Sequence, residues 1–199
     1  MATTINNKVL SEAFGANEGT ALRIRQVVLV LAGIAALAIA AKIRVPMWPV
    51  PATLQTLVVL TVGATFGPRL GLTTLLGYIA LGAAGAAVFA GENAGLAYIA
   101  GPTGGYLVGF AVAAGIMGLL ARRGWDRSMT GMAGAMLIGT AAIYAFGLAG
   151  MSWLFLADKG AAWVLQYGMV NFLLADALKL VIAALIVPGV WKMVGKARA

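Results

Sequence analysis

The sequence has no cysteine and no histidine among its 199 residues. The lack of cysteine excludes disulfide bonds and thiol chemistry, and the lack of histidine excludes Ser–His and Cys–His catalysis. A metal site built from histidine or cysteine ligands is excluded for the same reason. Charge is also scarce, since only 10% of the residues are charged.

What the chain has instead is apolar sequence, with 62% hydrophobic residues. No soluble domain needs so much apolar surface, so this composition indicates transmembrane helices. The apolar residues form six runs, at 24–41, 53–67, 70–90, 103–121, 129–150 and 167–190. The second run has only about 15 residues, fewer than the ~20 that cross a membrane core of ~30 Å.

We therefore predict an all-α integral membrane protein, folded as a compact bundle of six transmembrane helices. Its expected parts are a polar N-terminal tail at 1–22, a six-helix membrane domain at 23–192 and a basic tail at 193–199.

The distribution of basic residues predicts the orientation in the membrane. With the N-terminus inside, ten of them fall on the cytoplasmic side: Lys8, Arg23, Arg25, Arg69, Arg122, Arg123, Arg127, Lys192, Lys196 and Arg198. Three fall in outer loops: Lys42, Arg44 and Lys159. This excess predicts that the N and C termini are both cytoplasmic. The net charge of +8 is thus a topology signal, and we expect no nucleic acid as a partner.

The first outer loop is rich in proline, with Pro46, Pro49 and Pro51 close together. Proline fixes its own φ and holds the preceding residue extended, so this loop is expected to be a stiff cover over a cavity. Trp48 could offer a flat apolar face to a ligand, although an interfacial position is the better supported interpretation. Gln55 enters the membrane directly after the loop.

The second outer loop ends at Gly101–Pro102, after which Thr103 can cap the next helix. Free backbone N–H groups at that helix start could bind a carbonyl or carboxylate group. Gly105 and Gly109 are better explained by close helix packing. The ligand candidates of this region are polar or aromatic: Asn93, Thr103 and Tyr106.

Asp176 and Lys179 lie inside the last apolar run, where each costs about 2.5–3.5 kcal/mol at the centre of a membrane helix. Their spacing places them one turn apart on neighbouring faces of the helix. Three explanations compete: an internal ion pair, a proton or ion relay, and a binding site for a polar solute bearing a carboxylate. The third is favoured because ionisable groups within the membrane are functional by default.

Several of these motifs, taken together, resemble those of the BioY family, the substrate-binding S-components of energy-coupling factor (ECF) biotin transporters. They are Pro49-Val50-Pro51-x-Thr53-x-Gln55-Thr56-Leu57, Val88-Phe89-Ala90-Gly91, Gly101-Pro102-Thr103-Gly104-Gly105-Tyr106-Leu107-x-Gly109-Phe110 and Asp176-x-x-Lys179. All occur in order within residues 25–190. The stretch Gly91–Gly95 departs from the more glycine-rich or basic loop expected for the family. The negative charge of Glu92 in this stretch would repel a carboxylate.

The resemblance implies biotin as the substrate and a multi-pass position in a bacterial cytoplasmic (inner) membrane, in contact with membrane lipid. It implies as partners an ECF coupling transmembrane subunit and an ABC ATPase. The coupling subunit would dock on the small-residue stripe Ala32, Ala36 and Ala40 of the first helix. The implied substrate-binding set is Asp176, Lys179, Asn93, Gln55, Trp48, Tyr106, Thr103 and Phe172.

No cofactor and no catalytic residue is expected, because the chain has no nucleotide-binding motif and ATP hydrolysis would come from the partner ATPases. The alternatives are an S-component for another vitamin, a purely structural subunit and, with less support, an intramembrane enzyme. Formation of a homo-oligomer stays open.

Overall fold

A computed structural model of the chain describes residues 7–14 and 18–196. Its α-helices and strands are α1 (Gly19–Lys42), β1 (Arg44–Val45), β2 (Ala52–Thr53), α2 (Gln55–Ala83), α3 (Leu96–Ile99), α4 (Gly104–Arg122), α5 (Met129–Lys159), α6 (Ala161–Gly168) and α7 (Leu173–Lys196). Apart from the two-residue strands, every element is helical, which confirms the all-α class. The predictions for residues 1–6, 15–17 and 197–199, including Arg198, lie outside the described residues, as does the side chain of Lys196.

Five helical stretches of the described chain are long and apolar enough to cross a membrane: Gly19–Lys42, Gln55–Ala83, Gly104–Arg122, Met129–Lys159 and Ala161–Val194. The sequence predicted six segments. The difference lies in α2, which is one helical stretch but not one straight rod.

The α2 stretch reverses direction at Gly67, where φ is 82° and ψ is 175°. Only glycine adopts this conformation readily. Gln55 and Tyr78 show the reversal, because their side chains are 2.7 Å apart although a straight helix would separate 23 residues by about 34 Å. The helix therefore consists of a first arm, 55–66, and an antiparallel second arm, 68–83. The two arms correspond to the second and third apolar runs of the sequence.

Small residues allow the two arms to pack closely and α4 to lie against the turn. A Cβ atom on Gly71 would lie 3.2 Å from the Cα of Gly63 on the opposite arm, and one on Gly118 would lie 2.2 Å from the nitrogen of Pro68. A Cβ atom on Gly105 would lie 2.4 Å from the carbonyl oxygen of Phe146, and one on Gly109 would lie 2.9 Å from the Cα of Ile143, both on α5. These contacts confirm the predicted packing role of the two glycines. As a result, α4 runs through the middle of the bundle, with 67% of its span buried against 22% for α1.

One end of the bundle holds the α2 turn together with segments near both termini. Val9 is fully buried and lies against Gly67, Glu12 forms an ion pair of 2.7 Å with Arg122, and Trp191 donates to Asp126 at 2.5 Å. Part of the N-terminal tail thus packs on the helices. The strands, α3 and α6 lie at the opposite end. Which end faces the cytoplasm stays a prediction.

The loops at this opposite end contain more regular structure than the sequence predicted. The proline loop is flanked by paired strands, with Arg44 opposite Thr53 and Val45 opposite Ala52. Residues 151–166, which lie between the last two predicted apolar runs, complete α5 and form most of α6. No proline or glycine interrupts 151–159, so the helix continues to Gly160, where a positive φ of 80° ends it.

We predict that Gly118→Ala destabilises the protein, because the added methyl group would collide with the backbone of the α2 turn. The expected loss is about 1–3 kcal/mol, seen as a lower melting temperature in detergent. The matched control is Gly115→Ala on the same helix, where a Cβ would meet no atom within 4 Å. Equal melting temperatures for the two variants would contradict the packing described here.

Candidate substrate-binding site

A central cavity lies at the end of the bundle that carries the strands. Its roof is the segment 50–53, and its walls come from α2, α4, α5 and α7. The volume of this cavity is about 50 Å³. The full lining consists of Val50, Pro51, Ala52, Thr53, Gln55, Thr56, Ala90, Tyr98, Thr103, Tyr106, Phe110, Ile143, Tyr144, Phe172, Asp176 and Lys179.

The floor of the cavity carries a polar cluster, formed by Thr56, Tyr144, Asp176 and Lys179. Lys179 Nζ lies 2.8 Å from Asp176 Oδ1, and these two side chains are only 12% and 10% exposed. Thr56 bridges them, since its hydroxyl accepts from Lys179 at 2.8 Å and donates to Asp176 at 3.1 Å. Tyr144 donates to the other carboxylate oxygen, Oδ2.

This cluster balances its own charge but leaves hydrogen-bonding capacity unused. Among the described residues, Lys179 uses two of its three N–H donors. Asp176 accepts three hydrogen bonds, whereas an ionised carboxylate has about four acceptor positions. One N–H donor of Lys179 and one acceptor position of Asp176 therefore remain for a ligand. Such a pair suits a neutral group that offers both an N–H and a carbonyl oxygen.

The position of the cluster follows from where α7 starts. The last apolar run was predicted to begin at 167, but α6 ends at Gly168 and α7 begins at Leu173. Asp176 and Lys179 therefore lie in the first two turns of α7. They face the first arm of α2 through Thr56 and α5 through Tyr144.

Aromatic and aliphatic side chains form the wall of the cavity. Tyr106, Phe110 and Phe172 are at least 93% buried, and Ile143 of α5 lies beside them in the lining. Tyr106 is held in place because its hydroxyl donates to the carbonyl oxygen of Gly168 at 2.6 Å. The apolar wall next to the polar cluster can hold a ligand that is apolar over most of its length.

The structure brings six of the eight predicted binding residues to this cavity: Gln55, Thr103, Tyr106, Phe172, Asp176 and Lys179. Gln55 is 5% exposed, and its amide donates to Tyr78 at 2.7 Å, which ties the start of α2 to the second arm. Thr103 occupies the N-cap position of α4, but its side chain makes no capping bond; it lines the cavity instead.

The other two predicted residues lie elsewhere. Trp48 is 66% exposed and packs edge-on against Phe155 and Trp163, with ring centroids 6.1 and 5.7 Å away. Asn93 lines a separate pocket outside the roof, and its amide donates to the carbonyl oxygen of Ala90 at 2.7 Å. Neither side chain lines the central cavity.

Sequence reasoning did not select Thr56 and Tyr144 as binding residues. Thr56 directly follows Gln55 in the first quoted motif, so a signal for it existed. Tyr144 had no such signal, because one tyrosine in an apolar run can face lipid, a neighbouring helix or a cavity with equal ease.

Glu92, which is expected from the sequence to repel a carboxylate, has a basic neighbour in the structure. Its carboxylate lies 3.9 Å from Lys42 Nζ. Lys42 also donates to the carbonyl oxygens of Ala87, Phe89 and Gly91. The lysine thus holds the loop before α3 in place and offsets the charge of Glu92.

Comparison with known structures defines the class of fold. The chain superposes on the crystal structure of the S-component for biotin from an ECF-type ABC transporter with a TM-score of 0.76, covering 88% of this chain and 95% of that one at 21% identity. The fold is that of an ECF S-component.

Comparison with known sequences identifies the family. The model of the BioY family matches residues 12–196, so the chain belongs to the BioY family. A probable biotin transporter BioY of Pyrococcus horikoshii is 37% identical over 168 residues, which cover 83% of this chain and 95% of the relative. The biotin transporter BioY of Thermotoga maritima is 37% identical over 160 residues, covering 79% and 92%.

We predict that the effects of replacing Asp176 and Lys179 on the stability of the folded protein are strongly coupled. Asp176→Asn or Lys179→Met alone should each cost about 3–5 kcal/mol, because each leaves its partner buried without a countercharge. The double variant should lose clearly less than the sum of the two single losses. Detergent-solubilised protein unfolded with heat or SDS provides the measurement.

The matched controls are Asp158→Asn and Lys159→Met, which make the same chemical changes at exposed positions at the end of α5. They should change stability by less than about 0.5 kcal/mol. Strictly additive losses for Asp176 and Lys179 would contradict the ion pair.

Proposed function

We propose that this protein is the biotin-binding S-component of an ECF transporter and takes up biotin across the membrane. The observation that carries the proposal is the charge-balanced Asp176–Lys179 pair on the floor of a largely apolar cavity, in a chain of the BioY family. Relatives that align with most of this chain are named as biotin transporters. The protein itself is a transport subunit rather than an enzyme.

The chemistry of biotin suits the residues that line the cavity. Its ureido group has two N–H donors beside a carbonyl oxygen, which suits the free acceptor of Asp176 and the free donor of Lys179. Its sulfur ring and aliphatic chain suit the wall formed by Tyr106, Phe110 and Phe172. The carboxylate then points away from the polar cluster and towards the roof, since a charge-balanced pair attracts an anion only weakly.

The proposal includes partner proteins, an ECF coupling transmembrane subunit and an ABC ATPase, in a bacterial cytoplasmic membrane. The small-residue stripe of α1 remains our proposed docking surface. Ala32 is exposed and Ala36 half-buried, whereas Ala40 is buried within the chain. Only the N-terminal half of the stripe is therefore open to a partner, and a close helix contact there would be supported by its small side chains.

The first test is equilibrium binding of biotin to the purified protein, measured by isothermal titration calorimetry. Wild type should bind biotin, and an excess of riboflavin or thiamine should not displace it. Asp176→Asn and Lys179→Met should each weaken binding by roughly thirtyfold or more, equivalent to at least about 2 kcal/mol. Asp158→Asn and Lys159→Met should bind like wild type. Absence of biotin binding, or displacement by another vitamin, would overturn the proposal.

The second test concerns the docking surface. Ala32→Trp should reduce co-purification with the coupling subunit and biotin uptake by about tenfold, equivalent to about 1.4 kcal/mol, while biotin binding stays unchanged. Val27→Trp is the control, because Val27 is 58% exposed and lies on the other side of the exposed face of α1. Equal co-purification of the two variants would contradict the assignment of this surface.

A further inference from the structure

A second pocket lies outside the roof of the central cavity, and the proposed biotin site does not account for it. It is a depression of about 340 Å³ between the proline loop and the residues around α3. Pro51, Tyr98 and Thr103 line both this outer pocket and the central cavity. The two spaces are therefore separated by shared side chains, and a ligand that reaches the central cavity from this side passes through the outer pocket.

Arg44 supplies the only charged side chain among the described residues that line the outer pocket. A Cβ atom on Gly91 would lie 3.1 Å from its Nη2 atom, so the guanidinium group packs over a glycine that leaves room for it. Gly91 has a φ of +72°, which favours glycine at this position as well.

The charge of Arg44 is not balanced by the neighbouring acidic residue. Glu92 is closest to Lys42, at 3.9 Å, and no ion pair of Arg44 occurs in the part of the chain that the structure describes. The three charged side chains of this region thus leave one net positive charge, located at the outer pocket. The polar cluster in the central cavity, by contrast, is charge-balanced.

Tyr98 stands between the two spaces and stays uncharged. Burial raises the pKa of its hydroxyl, an effect reduced by hydrogen bonding to Thr103 and Ala90 and by the charge of Arg44. An anion that passes Tyr98 therefore meets a neutral hydroxyl rather than a phenolate.

We propose that the outer pocket is a capture site for carboxylate anions, in which Arg44 draws in the substrate carboxylate before the ligand reaches the central cavity. The inference rests on the proposed function, because it takes biotin as the anion. A positive group at the mouth of a cleft raises the association rate of an anion, and salt weakens the effect. A residue acting in this way alters the association rate and leaves the dissociation rate nearly unchanged.

The test measures association and dissociation rates of biotin and its uncharged methyl ester by stopped-flow tryptophan fluorescence, on purified protein in a neutral detergent. Arg44→Gln should slow biotin association about five- to tenfold at low salt, with little difference from wild type at 1 M salt. Association of the methyl ester and both dissociation rates should be unchanged. Lys159→Gln, the same charge change at an exposed position at this end of the bundle, should behave like wild type.

Each of the following results would count against the capture site. Equal biotin association rates for wild type and Arg44→Gln would overturn the capture site, as expected if Arg44 only anchors the loop at lipid headgroups. Faster dissociation with unchanged association would place Arg44 in the final binding site and also overturn it. Equal slowing of the methyl ester would assign Arg44 a packing role. Wild type that binds neither ligand would refute the proposed function, and the capture site with it.

Discussion

The ion pair between Asp176 and Lys179 is the constraint on which the rest of the site depends. Both side chains are about nine-tenths buried, and neither would be stable there alone, since an unpaired charge in such surroundings costs several kcal/mol. Thr56 and Tyr144 add hydrogen bonds to the pair, which joins α7 to the first arm of α2 and to α5. The cluster thus holds three helices together while retaining hydrogen-bonding capacity towards the cavity.

Glycine residues allow the helices to pack closely enough for this arrangement. Gly67 lets α2 fold back on itself, and Gly63, Gly71 and Gly118 allow the two arms and α4 to approach to backbone contact. The first arm begins directly after β2 and brings Gln55 and Thr56 to the lining of the cavity.

Much of the fold and part of the site could be predicted from the sequence, for identifiable reasons. Apolar runs predict helices because the membrane requires them, and Asp176 and Lys179 stand out because charge is rare within such runs. The positions of Trp48 and Asn93 could not be predicted, since they depend on how a loop folds over the bundle. Tyr144 could not be identified as a site residue from the sequence, because its neighbours there are apolar. Its partner, Asp176, becomes evident only from the packing of α5 against α7.

A structure of the protein with biotin bound, determined by crystallography or electron cryo-microscopy, tests the proposed site most directly. We predict biotin in the central cavity, with its ureido oxygen and one ureido N–H within about 2.7–3.2 Å of Lys179 and Asp176, and its carboxylate towards the roof. Biotin bound elsewhere, or lying in the cavity without contact to either residue, would contradict it.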